Sequence, residues 1–80
     1  MIKLYIRNGC PFCTRVLIAI NAIGIPYEML EVTNFSAAQD LIERGGKMQV
    51  PYLVDERTGV SMYESGDIIA YLDHQYAKLK

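Results

Sequence analysis

Both cysteines of this 80-residue chain fall within four positions, Cys10-Pro11-Phe12-Cys13, at a point where a strand must become a helix. Residues 2–6 (Ile-Lys-Leu-Tyr-Ile) alternate and are mostly β-branched or aromatic, which predicts a strand. Residues 14–23 predict a helix, and Asn8-Gly9 is the turn between the two. Cys10 then falls at the helix N-cap and Pro11 at the first helical position, where a missing N–H costs nothing. In that geometry the free N–H groups of Phe12 and Cys13 point towards the Cys10 sulfur. Those donors and the helix dipole stabilise a thiolate. The pattern reads as a thiol–disulfide exchange site, with Cys10 as nucleophile and Cys13, more buried in the first turn, as resolving thiol. Gly24 and Pro26 end the helix, and 27–32 reads as a second strand. Strand–helix–strand in this order requires a parallel pair with a right-handed crossover.

Charge and length narrow what such a site can serve. A net charge of −1 with no long basic run argues against nucleic-acid binding. The longest apolar run, 16–20, is far too short to cross a bilayer, and the N-terminus lacks a signal-peptide layout. The expectation is a cytoplasmic protein, where a structural disulfide would not persist. Eighty residues predict a single domain, 1–80, and a monomer. All charged side chains before Glu28 are positive, namely Lys3, Arg7 and Arg15, and Arg44 and Lys47 are candidates to join them in a cationic rim. Zinc needs four ligands, and beyond the two cysteines only His74 offers an imidazole, so no metal is expected.

The remaining chain supplies two more strands and two more helices. Ser36-Ala37-Ala38-Gln39 has the spacing of a capping box and predicts a short helix burying Leu41 and Ile42, ended by Gly45-Gly46. Residues 50–55 and 60–63 read as a hairpin around Glu56-Arg57-Thr58-Gly59. Ser65 is expected to cap a last helix, with Asp67 in its first turn and Ile68, Leu72, Tyr76 and Leu79 as its buried stripe. The order is β-α-β-α-β-β-α: an α/β domain with a four-stranded mixed sheet flanked by helices.

With Cys10-Pro11-Phe12-Cys13 after its first strand, this order resembles the dithiol glutaredoxin family of the thioredoxin fold over essentially the whole chain. Phe12 stands where that family commonly has tyrosine, and Arg7 where it usually has lysine. Val50-Pro51 resembles the Val-Pro of the family's Thr-Val-Pro segment, whose proline is cis and faces the active site; Gln49 replaces the threonine. Before the last helix the likeness shifts. Tyr63-Glu64-Ser65-Gly66 and the Ile-x-x-Tyr-Leu that follows at 68–72 resemble the N-terminal domain of glutathione transferases.

Both resemblances imply glutathione as co-substrate in one groove. Glu64 and Ser65 would take its γ-glutamyl end, Val50 and Pro51 its backbone, Phe12 an apolar wall, and Arg7 or Lys47 its glycyl carboxylate. The resemblance to glutaredoxins implies an enzyme that reduces protein–glutathione mixed disulfides and small disulfides, with glutathione and disulfide-containing proteins as partners. Two alternatives stand beside it. One is a glutathione transferase N-terminal domain, against which no helical second domain follows within the sequence. The other is a module that binds glutathione or an iron–sulfur cluster without turnover. A transferase using tyrosine would need one near the end of the first strand, and Tyr5 is the nearest.

Overall fold

In the computed structural model, which describes residues 1–77, seven elements follow one another in the expected order. They are β1 (Ile2–Ile6), α1 (Pro11–Ile23), β2 (Tyr27–Glu31), α2 (Phe35–Gly45), β3 (Tyr52–Asp55), β4 (Val60–Tyr63) and α3 (Ser65–Tyr76). Leu79, expected on the buried stripe of the last helix, lies outside the described residues.

Alternation along the strands builds two cores on one sheet. The strand order is β2-β1-β3-β4; β1 pairs parallel with β2 and antiparallel with β3, and β3 pairs antiparallel with β4. Ile2, Leu4 and Ile6 of β1, with Leu53 of β3, face α1 and α3, where Val16, Ile20, Ile68 and Leu72 bury. Tyr5, Tyr52 and Val54 point the other way, onto Leu41 of α2. The two central strands are thus covered on both faces, which is why all four residues of β3 are buried.

Helix ends follow the sequence in α1 and at the glycine end of α2, and depart from it at the starts of α2 and α3. Cys10 is the N-cap of α1, Pro11 its first residue, and Gly24 a left-handed C-cap at φ 85°. The capping box expected at Ser36 does not form. Asn34 caps α2 instead, because its side-chain oxygen reaches the amides of both Ser36 and Ala37. Leu41 is buried as expected, but Ile42, the next position round the helix, is exposed. Ser65 likewise does not cap α3. It is the first helical residue and is buried, while Glu64 holds the N-cap position.

Asp55 ends β3 fully buried. Its carboxylate accepts from the Tyr71 hydroxyl at 2.6 Å, from the Tyr76 hydroxyl, and from the Arg57 amide at 3.0 Å. Thr58 in the hairpin bonds the Tyr71 oxygen at 2.6 Å, extending the chain of bonds to the surface. Burial opposes the charge, but these donors outweigh it and hold the carboxyl below the ordinary range.

Candidate functional site

Register brings the site together. Tyr5 pairs with Tyr52, and Tyr52 with Tyr63, so three tyrosines form one row across the sheet, with ring centroids 5.7 and 4.4 Å apart. β3 enters this row as β1 and β4 leave it. The segment leading out of β1, the segment leading into β3 and the segment leading out of β4 therefore meet at one end of the sheet. Those segments carry Cys10, Val50-Pro51 and Glu64-Ser65. Phe12, Gln49, Val50, Pro51, Glu64 and Ser65 line a groove of about 290 Å³ there. The Val50–Pro51 bond is cis, as the resemblance implied.

Cys10 sits at the head of α1, which also carries Phe12 into the groove wall; Phe12 is 56% exposed. The loop before it is fixed by Gly9 at φ 86° and by Glu31, whose carboxylate takes the Asn8 amide at 2.9 Å. The Cys13 amide donates to the Cys10 sulfur at 3.4 Å. Burial alone would raise the Cys10 pKa. The Cys13 thiol, the Cys13 and Phe12 amides and the Arg7 charge together overcome it and set the pKa below the ordinary thiol value. Cys13 has the opposite fate. Only 1% exposed, it is pushed up to about 11 by burial and by its neighbour Cys10. One thiol is prepared to ionise and the other is kept protonated.

Two expected residues lie apart from the lining. Arg7 is exposed; its carbonyl accepts the Cys10 amide at 3.1 Å, and its charge acts on the sulfur from outside the groove. Lys47 places its ammonium 5.1 Å from the Tyr63 ring centroid. Arg44 joins no rim around Cys10, because it pairs with Asp40 of α2 at 3.1 Å. Tyr5 is fully buried on the α2 face and its hydroxyl donates to Asp40, so it faces away from α1 and cannot serve a thiol there.

Gln49 is the lining residue that sequence reasoning passed over. Its side-chain amide donates to the Glu64 carboxylate at 2.9 Å. Glu64 has φ 74°, the one positive φ outside glycine among the described residues, and its side chain makes no capping bond to α3. The signal available was its place before Val50-Pro51, where a long amide replaces a short hydroxyl.

Comparison with known proteins decides between the two resemblances. The family model described as the glutathione S-transferase N-terminal domain matches residues 4–79. The chain belongs to this family. It is 29% identical over 76 residues to glutathione S-transferase omega-1 of Sus scrofa, covering 95% of this chain and 31% of that protein. Glutathione transferase Omega 3C from Trametes versicolor superposes with a TM-score of 0.84 at 26% identity, over 99% of this chain and 35% of that one. A Sulfitobacter glutathione transferase homolog, solved with bound glutathione, gives 0.78 at 28% identity, over 98% and 38%. The chain spans about a third of the length of the curated relatives it matches. The family match takes in both the Cys10–Cys13 motif and the Glu64-Ser65 segment. No helix among the described residues is long and apolar enough to cross a membrane.

Proposed function

We propose that this glutathione transferase-family domain binds glutathione in the groove and carries out glutathione-dependent thiol–disulfide exchange at Cys10. The observation that carries the reading is the N-cap sulfur of Cys10, with its depressed pKa, at the head of the helix whose Phe12 lines that groove. A nucleophile must be ionised and reachable, and Cys10 is half-buried and not sealed. At the far side, the first turn of α3 offers backbone donors to a carboxylate, and Glu64 offers an acceptor to an ammonium. Glutathione's γ-glutamyl end carries both groups.

In the exchange, the Cys10 thiolate attacks the glutathione sulfur of a mixed disulfide. The new S–S bond forms as the old one breaks, and the departing thiolate takes a proton from water. A second glutathione, as thiolate, then attacks the glutathione sulfur carried by Cys10, frees Cys10 and leaves as glutathione disulfide. Resolution by Cys13 would need a proton removed from a buried thiol whose pKa is about 11, so the glutathione route is favoured.

The family match favours a second reading, in which the domain is the glutathione-binding part of a transferase that conjugates electrophiles. A coupled assay with glutathione, glutathione reductase, NADPH and a glutathionylated peptide separates the two when run beside conjugation of a chlorodinitrobenzene. Peptide turnover lost in Cys10→Ser and kept in Cys13→Ser is expected. Conjugation without peptide turnover would establish the second reading and reject the first.

A further inference from the structure

Among the described residues, Glu64 is the one charged residue lining the groove, and it does not stand alone. Its carboxylate reaches across to Gln49, whose Nε2 donates to Oε2 at 2.9 Å. Gln49 is mounted on a clamped loop. Its amide donates to the Lys47 carbonyl at 3.1 Å. The Tyr63 hydroxyl holds that same carbonyl at 2.7 Å and accepts the Lys47 amide at 3.3 Å. The Tyr63 ring stacks 4.4 Å from Tyr52. The clamp thus comes from the residue next to Glu64 itself. Donor and acceptor are thus tied to one frame, and both line the groove.

We infer that Gln49 is a positioning residue for the groove's ligand: it holds the Glu64 carboxylate in place for an α-ammonium group. This rests on the glutathione reading above. A free glutamate side chain on the surface samples many rotamers, and a ligand must bear the entropy of ordering it. A glutamine tether removes that cost beforehand. It uses one lone pair of one oxygen and leaves Oε1 for the ligand. As a neutral donor it also leaves the carboxylate charge intact, which a lysine would cancel. Threonine, the residue found here in the glutaredoxin pattern, is too short to span the gap.

The test uses S-methylglutathione, which cannot react with Cys10, beside the same compound lacking its α-amino group. Calorimetry should find the amino form bound more tightly by the unaltered protein. Gln49→Met should weaken the amino form about tenfold, as expected when a charge-assisted contact is lost. It should change the deaminated form less than about twofold on the same scale. Gln49→Thr should repeat the pattern. In a Glu64→Ala background, Gln49→Met should have no further effect. Binding of the deaminated compound serves as the internal check that each variant is folded. Equal weakening of both compounds, or of neither, overturns the positioning role while leaving the glutathione reading intact. Failure of the unaltered protein to bind S-methylglutathione, or to prefer its amino form, overturns both.

Discussion

Replacing Asp55 by asparagine should be among the most damaging isosteric changes in this domain. The carboxylate is fully buried and takes two tyrosine hydroxyls of α3 and one backbone amide of the hairpin. Hydrogen bonds to a charged group contribute about 1.5–3 kcal/mol each. Asparagine keeps one acceptor oxygen but loses the charge, and it turns an N–H₂ towards a hydroxyl that needs an acceptor. The expected loss is about 2–4 kcal/mol. At roughly 0.05–0.15 kcal/mol per residue, a domain of this length has only about 4–12 kcal/mol in all. Thermal unfolding should fall by about 8–32 °C, since each kcal/mol moves a domain of this size by about 4–8 °C. The pH dependence gives a second check. The folded-state pKa of Asp55 lies below its unfolded value, so its contribution is present above about pH 4 and is lost as pH falls through the folded value. Asp55→Asn lacks that component, and its acid limb should be shallower. A change under about 3 °C would refute the reasoning, as would strict additivity with Tyr71→Phe, because bonded partners must couple.

Alkylation of Cys10 should have its pH midpoint below the ordinary thiol value of about 8.5, while Cys13 should stay unlabelled at neutral pH; mass spectrometry of the labelled peptide reads both. Arg7→Ala should raise that midpoint less than loss of the helix-head donors would. The rise should shrink in about 0.5 M salt, because the guanidinium is exposed; unchanged behaviour at low salt would remove Arg7 from the account. Gly45→Ala should destabilise the domain, since a Cβ there would overlap the Tyr63 hydroxyl and push it from Lys47. A melting temperature equal to that of the unaltered protein would show that Tyr63 moves aside freely.

Strand alternation and the Cys10-Pro11 helix start were legible because they depend on neighbours in sequence. The α2 cap was misread because Asn34 and Ser36 are both good caps two positions apart, and their residue types alone do not choose between them. Asp55 looked like an ordinary strand end. Its two tyrosine partners lie 16 and 21 residues away, and nothing local announces them. The site was legible where a motif marked it, at Cys10, Val50-Pro51 and Glu64-Ser65. Gln49 was missed because its role is set by a residue 15 positions on. The cationic rim failed for a similar reason: Arg44 found Asp40 one helical turn away before any tertiary partner.

Glu64 sits at φ 74° and ψ 114°, a backbone conformation that glycine tolerates and a glutamate adopts at a cost of about 1–3 kcal/mol. Thermal tolerance and ligand affinity therefore pull this position in opposite directions. Random variants screened for heat resistance alone should accumulate Glu64→Gly, and those survivors should melt higher while holding glutathione less well. If Glu64→Gly does not melt higher, the backbone there carries no strain. A lineage that keeps the acid is one in which selection has acted on the groove.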